Sequence, residues 1–517
     1  MVGGIVAVVV GAGVWLLLRG GGEGERQGVK DPLAEALAFA PASAEVVAQF
    51  DVQPDSQQGR ELRDLARTFV AARFAADGVR QSARSLGLDA DADLPSLLGG
   101  PVVVAGPASA VRGLAASVEG LALDLPAIAR AGATAAVVGR NSDDVAAVLR
   151  RATEDGRLNR LDDVAPGVEG YGLPDGDGAV LGRREADLVL GGDAAAVRRA
   201  FAIHDSKGGL TRATFEERLG PLAHVSALIR AAGAARAIVS PRATDVAWVD
   251  ALRRGSLAVT IEKPGVRLRV HLATDPTRVT DEQLPLAPGA QPPRPAPGPR
   301  QIDVAVRDPA QTIRVLDAAK GGLDLPFLDP VKRALDQLDA VKGPLRTFGR
   351  IDVDDIINQL TGTLTVTPER GDTLAARAEL DSGDDLRTAL NRIAAVPDVA
   401  LDLAGVSLNV ERAGDAYTIT DNGQAIAKVA VLDRTLVVTN DLTAGLRAIA
   451  NREPQAAGTT GALSFHLGGR ELQDQLVRRL GLPALSRIVL AGFGDIDGGV
   501  RAERGGVDLD ATLTLND

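Results

Sequence analysis

The chain has 517 residues, 45% of them apolar, a length and composition that accommodate two to four globular domains with buried cores. Its net charge of −11 excludes the basic surface that phosphate-backbone binding requires, and its few aromatic residues, 3%, offer little for bases to stack on, so we expect no nucleic-acid partner. The absence of cysteine excludes disulfides, thiolate nucleophiles and cysteine-ligated metal centres.

Residues 1–19 are predicted to form a transmembrane anchor. The segment from Met1 to Leu18 carries no charged side chain and is followed by Arg19. As a helix it would reach about 27 Å, close to the ~30 Å hydrocarbon core, and Arg19 can snorkel over the remainder. A cleaved signal peptide and a buried core helix are the alternatives, but no small-x-small cleavage site follows Leu18. The charges do not fix the orientation, because no Lys or Arg precedes the segment.

Residues 20–37 are predicted to be a flexible spacer, because they are rich in glycine and polar side chains. A first folded unit is predicted over 38–274. It opens with a strand over 44–52, and a long helix from Gly59 follows, since the apolar residues there recur with the helical period. We expect this body of the protein to be extracytoplasmic, at the cell membrane.

A second unit is predicted over 301–517, because it repeats the order of the first. A strand begins at Arg300 and a helix at Pro309. A helix and strand then follow in both units, DLPSLLGGPVVV in the first and DIINQLTGTLTV in the second, and the leading Asp is a natural helix N-cap. The two segments agree at Asp93 and Asp355, Leu98 and Leu360, Gly100 and Gly362, and Val104 and Val366.

Two helices and two tyrosines extend the match. SDDVAAVLRRA from Ser142 and GDDLRTALNRI from Gly383 both indicate capped helices after a strand. The only tyrosines, Tyr171 and Tyr417, both precede a hairpin turn, Asp175-Gly176 in one unit and Asn422-Gly423 in the other. Each tyrosine is interpreted as an aromatic that packs a hairpin against its helix; a paired ligand contact between the units is the alternative.

Two further matches follow along the chain. One is a strand, an Asp cap and a helix, and the other is a closing hairpin. The strand and helix agree at Leu188 and Leu436, Val189 and Val437, Asp193 and Asp441, Ala196 and Ala444, Arg199 and Arg447, and Ala200 and Ala448. The hairpins agree, at a constant spacing of 241 residues, at Glu262 and Glu503, Gly265 and Gly506, Val266 and Val507, Leu268 and Leu509, and Leu272 and Leu513. Alternation in the hairpins predicts a sheet with one buried and one solvated face.

These patterns predict an α+β fold of two similar tandem units, each a mainly antiparallel sheet backed by helices. Between them, residues 275–300 are proline-rich and are predicted to be a semi-rigid linker of polyproline type. A PxxP ligand for a signalling domain is the less favoured function of this stretch. The stiffness of the linker then helps to set the distance between the two units.

Motifs of known chemistry are missing from the sequence. It contains no GxSxG, HExxH or P-loop pattern, and its histidines, His204, His224, His271 and His466, never share a helix face at i, i+3 or i, i+4. His224 and His466 lie 242 residues apart, so they are either equivalent or coincidental. The acids Asp89, Asp91 and Asp93 resemble the start of a calcium loop, but its glycine and final acid are missing, which favours a helix-capping loop. We predict no catalytic, cofactor-binding or metal-binding residue and no cofactor.

The chain resembles a bacterial family of uncharacterised membrane-anchored proteins, defined only as a domain of unknown function. The resemblance rests on the N-terminal span and spacer, the Pro41-Ala42 step before a strand ending in Asp51, and a helix entry PDSQQGRELRDLARTF. The Leu-Gly step over 98–104 and the hairpin GDGAVLGRREADLVLGGD also fit. The family implies an anchor and an extracytoplasmic body; it implies no activity.

The leading functional hypothesis is a non-enzymatic binding module for an envelope protein or an apolar ligand such as a lipid, because two similar units offer a cleft between them. The alternative is an envelope hydrolase that uses strand-end carboxylates such as Asp51 and Asp303. Paired carboxylates with shifted pKa values would favour the enzyme. An apolar cavity or patch would favour binding.

Overall fold

A computed structural model describes most of the body of the protein. The described residues are 31–51, 53, 56–68, 88–89, 93–109, 125–173, 178–234, 246–263, 265–288, 302–319, short pieces within 335–347, 350–368, 373–395, 408–451, 462–469 and 492–515. The predicted anchor, 1–19, and the turn Asp175-Gly176 lie outside them. Among the described residues, no helix has the length and apolar content needed to cross a membrane.

The described part of the first half contains ten strands and eight α-helices. The strands are β1 (Val46–Phe50), β2 (Val102–Gly106), β3 (Thr134–Val138), β4 (Asn159–Ala165), β5 (Val168–Gly172), β6 (Val180–Arg184), β7 (Asp187–Gly191), β8 (Ile229–Gly233), β9 (Leu252–Glu262) and β10 (Gly265–Thr274). The helices are α1 (Pro32–Ala38), α2 (Gln57–Thr68), α3 (Leu94–Leu97), α4 (Leu125–Arg130), α5 (Ser142–Glu154), α6 (Ala194–Asp205), α7 (Arg212–Leu219) and α8 (Ala247–Ala251).

The described part of the second half contains ten strands and four α-helices. The strands are β11 (Ile302–Arg307), β12 (Thr363–Pro368), β13 (Leu374–Glu379), β14 (Leu408–Ala413), β15 (Ala416–Asp421), β16 (Gln424–Leu432), β17 (Thr435–Thr439), β18 (Leu463–Leu467), β19 (Phe493–Glu503) and β20 (Gly506–Leu515). The helices are α9 (Pro309–Ala319), α10 (Val353–Asn358), α11 (Gly383–Ala394) and α12 (Leu446–Ala450). The α+β class is therefore as predicted.

All twenty strands belong to one antiparallel sheet. From one edge to the other the pairings give the order 4-5-6-7-3-2-1-8-9-10-20-19-18-11-12-13-17-16-15-14. The halves meet where β10 pairs with β20. This junction differs from the expected pair of separate sheets facing a cleft, because the closing hairpins offer free strand edges that satisfy each other's backbone hydrogen bonds.

The pairings of the second half repeat those of the first when ten is added to each strand number, as β1–β8 and β11–β18 illustrate. The register repeats as well. Tyr171 on β5 faces Arg160 and Leu181, and Tyr417 on β15 faces Arg412 and Val429. At the junction, Arg269 faces Asp510, and these two positions are separated by 241 residues, the spacing at which the closing hairpins match.

Side chains alternate between two helical layers in the outer part of the first half. On β7, Leu188 and Leu190 pack with α5, whereas Val189 between them packs with α6 on the opposite face. Period-two alternation places successive strand residues on opposite faces. Both faces of this part of the sheet are buried, rather than one.

The junction, which we call the seam (265–273 and 506–514), has one buried and one solvated face, as the alternation predicts. Val266 and Leu268 are buried in a cluster that Leu62 of α2 covers. On the other face, Arg267 donates to the Asp510 carboxylate at 2.7 and 2.5 Å, and His271 Nδ1 lies 2.7 Å from Asp508 Oδ1. Arg267 and His271 of β10 therefore contact carboxylates of β20 across the seam.

The first part of the predicted linker is packed rather than free. Asp281–Gln283 forms a 3₁₀ turn, and Leu284, Leu286 and Val279 are buried with Ala502 and Val507 of the second half. The three leucine and valine side chains remove this stretch from solvent, which holds it on the second half. The remainder of the linker, 289–300, lies outside the described residues.

The predicted boundaries and caps need four corrections. Residues 32–37 fell within the predicted spacer but belong to α1, whose Leu33 and Leu37 are buried. Asp93 does not cap α3 with its side chain, which instead accepts the Asp89 N–H at 2.8 Å. In the second half, the residue that caps α10 is Asp352, not Asp355, and α12 begins after Gly445 with no side-chain cap, so the predicted Asp441 cap is wrong. Asp93 does not cap with its side chain because that side chain is buried and paired with Arg157. Asp352 replaces Asp355 as the cap because it directly precedes the first residue of α10.

Candidate functional site

A half-open cavity of about 360 Å³ lies between α10 and α11 in the second half. Its charged lining includes Arg350, Asp355, Asp385 and Arg392, and its apolar lining includes Ile356 and Leu386. Two of these charged groups lie at helix ends: Asp355 lies in the first turn of α10, and Arg392 lies in the last turn of α11. Charged and apolar side chains in one cavity suit a ligand that has both characters.

The cavity walls are held by helix caps. The Asp352 side chain accepts the Asp354 N–H at 3.0 Å and starts α10, and the Ser382 hydroxyl accepts the Asp385 N–H at 3.3 Å and starts α11. Below them, Leu386 is buried with Leu380 and Val431 of the sheet. The cavity is thus bounded by elements that the core fixes.

The corresponding place in the first half is filled by an ion pair. Asp93, matched to Asp355 in sequence, is 1% exposed and accepts Arg157 Nη1 at 2.9 Å, while Arg151 Nη2 lies 3.6 Å away. The hydrogen bond to Asp93 raises the pKa of Arg157, which keeps its charge. The ion pairs of the buried carboxylate therefore link the start of α3 to α5 and to the loop after it.

In the second half the two matched positions remain open. Arg151 corresponds to Arg392 in the alignment of α5 with α11, as Asp93 corresponds to Asp355. Within the described part of the chain, neither the Asp355 nor the Arg392 side chain has a hydrogen bond or ion pair, and both line the cavity. The same residue types thus form an ion pair in one half, whereas in the other they line the cavity with no partner among the described residues.

A second cluster joins three elements of the first half. His204 at the end of α6 places Nε2 2.7 Å from Glu35 Oε1 of α1, and Asp187 begins β7. Ligand atoms of Glu35, Asp187 and His204 all lie within 4.8 Å of one another, a separation that suits a bound metal ion. The His204 ring stacks on Phe39, with 4.4 Å between centroids and 14° between planes.

The hydrogen bonds of the cluster depend on the histidine tautomer. Arg184 Nη2 can only donate and lies 3.0 Å from His204 Nδ1, so this contact is a hydrogen bond when the ring proton is on Nε2, facing Glu35. Arg184 also donates to both Asp205 oxygens, at 3.0 and 2.7 Å. Burial, assisted by the Glu35 charge, raises the pKa of Asp187 to about 6.

The other histidines stand apart from this cluster. His224 lies in a turn before β8, whereas His466 lies in β18 with Nδ1 2.7 Å from Asp497 Oδ1. The 242-residue spacing is therefore a coincidence, since register matches Ala232, not His224, to His466. The tyrosines are both buried, and their hydroxyls donate to Glu169 and Asn391.

The carboxylates of the hydrolase hypothesis are not brought together. Asp51 follows β1 and Asp303 belongs to β11, and six strands separate β1 from β11 in the sheet. At ~4.8 Å per strand that is roughly 33 Å along the sheet. Asp93, of the calcium-like acids, is neutralised by Arg157, and Asp91 lies outside the described residues.

The sequence did not predict the cavity or the Glu35–Asp187–His204 cluster, for identifiable reasons. Glu35 and His204 are 169 positions apart and meet only through packing of α1 on α6. A signal for the cavity was present, because Asp93 and Asp355 were already matched; the partner arginines, Arg151 and Arg392, were in the helices matched beside them.

Comparison with protein-family models, curated proteins and solved structures finds no match to this chain.

Proposed function

We propose that the chain is a single-pass membrane protein whose extracytoplasmic body arose by tandem duplication and binds an envelope protein without catalysis. The binding site is the cavity between α10 and α11. The anchor is residues 1–19, and its support is the uncharged run up to Leu18. The resemblance to a family of membrane-anchored proteins supports the same localisation.

Duplication is supported by pairing and register together. Nine strand pairings recur in the second half, and Tyr171 and Tyr417, matched first by sequence, occupy the same register position on β5 and β15. At the seam, Arg269 and Asp510 face each other at the 241-residue spacing, as residues on a local two-fold axis must. An ancestral pair of identical units joined edge to edge would have this arrangement.

The observation that carries the binding proposal is the divergence of one Asp–Arg pair. In the first unit Asp93 is buried and paired with Arg157 and Arg151. In the second unit Asp355 and Arg392 line an open cavity. After duplication, one copy can keep a structural ion pair while the other exposes the same groups to a partner.

The charges of the lining favour a protein segment over an apolar ligand. Arg350 and Arg392 can receive a carboxylate, Asp355 and Asp385 can receive a Lys or Arg side chain, and Ile356 and Leu386 can receive an apolar one. A lipid tail would leave the five charged side chains of the lining, Asp352 included, without solvent. The hydrolase alternative loses support because Asp51 and Asp303 lie on distant strands.

Purification from membranes tests the proposal. The full chain and the variants D355A and R392E are recovered from a membrane extract, and bound species are identified by mass spectrometry. R387A, on α11 but not in the cavity lining, is the control. We expect a protein that accompanies the wild type and R387A and is lost from both cavity variants. Recovery of the same species with R392E, or of bound lipid alone, would contradict the proposal.

A further inference from the structure

The Glu35–Asp187–His204 cluster contains more negative than positive charge. Arg184 is neutralised by Asp205, to which it donates two hydrogen bonds. The His204 ring lies between Arg184 and Glu35, with Nδ1 3.0 Å from Arg184 Nη2 and Nε2 2.7 Å from Glu35 Oε1. Glu35 and Asp187 thus bring two carboxylates to one imidazole ring, and within the described residues the Asp187 carboxylate has no hydrogen bond.

From this geometry we propose that Glu35, Asp187 and His204 form a binding site for a divalent transition-metal ion such as Zn²⁺. Imidazole and carboxylate are ligands that Zn²⁺ accepts, whereas Ca²⁺ and Mg²⁺ take oxygen alone. A Zn²⁺ ion about 2.0–2.2 Å from each ligand atom holds those atoms roughly 3.3 Å apart. The 2.7 Å contact between His204 Nε2 and Glu35 Oε1 needs to open only slightly to admit it.

Binding moves one proton and one hydrogen bond. The ion takes the place of the proton on His204 Nε2, and the metal-bound ring carries its one proton on Nδ1. Nδ1 then donates to Asp205 Oδ1, which already lies 3.3 Å away, while Arg184 gives up its bond to Nδ1 and retains Asp205. This is the carboxylate–histidine–metal arrangement that orients histidine ligands.

The ring is held in place for that role. Phe39 stacks against His204, and Phe201 meets Phe39 edge-on, with 5.2 Å between centroids and 78° between planes. Glu35 comes from a helix whose start is capped by Asp31. The three ligands therefore come from packed elements, and the exposed side of the cluster leaves further coordination positions to water or to a partner.

Cobalt titration tests the site in the full chain. Metal is removed with a chelator, Co²⁺ is added, and its visible d–d absorption is followed before displacement by Zn²⁺. We expect one Co²⁺ per chain with a tetrahedral spectrum, loss of that spectrum in E35Q and in D187N, and affinity lowered about 10–100-fold in D205N. H271Q removes another histidine paired with a carboxylate, and it should bind as the wild type does.

The near-isosteric variants keep the test interpretable. Circular dichroism is used to check that E35Q and D187N are folded. We expect both to be folded, because neither substitution removes the stacking of Phe39 on His204. Absence of a Co²⁺ spectrum in the wild type, or a spectrum that survives in both variants, would overturn the proposal. A spectrum lost in H271Q but kept in D187N would assign the ion to the seam and would overturn it equally.

Discussion

Removing the Asp93 carboxylate is expected to destabilise the first unit far more than removing its counterpart, Asp355. Asp93 is 1% exposed and accepts hydrogen bonds from Arg157 at 2.9 Å and from the Asp89 N–H at 2.8 Å. D93A leaves that N–H and the guanidinium without their acceptor. Asp355 has no such bond within the described residues and is exposed.

The magnitude follows from burial. Breaking a buried ion pair by removing one partner costs about 3–5 kcal/mol. Arg157 is 29% exposed and keeps a second partner, Asp155, at 3.0 Å, so the lower end, about 3 kcal/mol, is expected for D93A. D355A removes an exposed charge, and its free energy of unfolding should change by no more than about 0.5 kcal/mol.

Urea unfolding followed by circular dichroism measures both variants. Hydrogen exchange of α5 localises the effect, because Arg151 and Arg157 belong to that helix and the loop after it. We expect exchange in α5 to accelerate in D93A and exchange in α11 to be unchanged in D355A. Equal losses in the two variants would refute the claim that the matched pair is closed in one unit and open in the other.

Three further perturbations have defined outcomes. In Y417F, the one remaining tyrosine, Tyr171, should ionise at about pH 12, because burial and the hydrogen bond to Glu169 raise its pKa. The unfolded chain loses that proton near pH ~10, so the free energy of unfolding should fall between pH 10 and 12. Phenolate absorbance follows the ionisation of Tyr171, and ionisation near pH ~10 would be the contrary result. L284A should cost about 2–5 kcal/mol by urea unfolding, because Leu284 is 0% exposed; a cost under 1 kcal/mol would mean that the linker is free. G423A should cost about 1 kcal/mol, since φ is +77° there; no loss would contradict the turn geometry.

The parts of the fold that sequence predicts are those set by local pattern. Alternation located the closing hairpins, and Asn422-Gly423 forms the predicted tight turn with positive φ at both residues. The cap of α6 is Asp193, as expected, with its side chain 2.6 Å from the Ala196 N–H. These features depend on residues that are neighbours in the chain.

The parts that sequence did not predict depend on contacts between distant segments. The union of the halves into one sheet requires the edges of β10 and β20 to meet, and no local pattern specifies which edge an open strand will find. The charge complementarity of Arg267 with Asp510 could be recognised only once the strands were paired. The Glu35–His204 contact likewise arises from helix packing, not spacing.

Photo-crosslinking at matched positions of the two units tests the central claim most directly. A photoreactive residue replaces Thr388, which lines the cavity on α11, or Ala147, its counterpart on α5, in the full chain in membranes. The account predicts one crosslinked envelope protein from position 388, lost when R392E is added, and none from position 147. Crosslinks of the same kind from both positions, or crosslinking at 388 that R392E leaves intact, would contradict it.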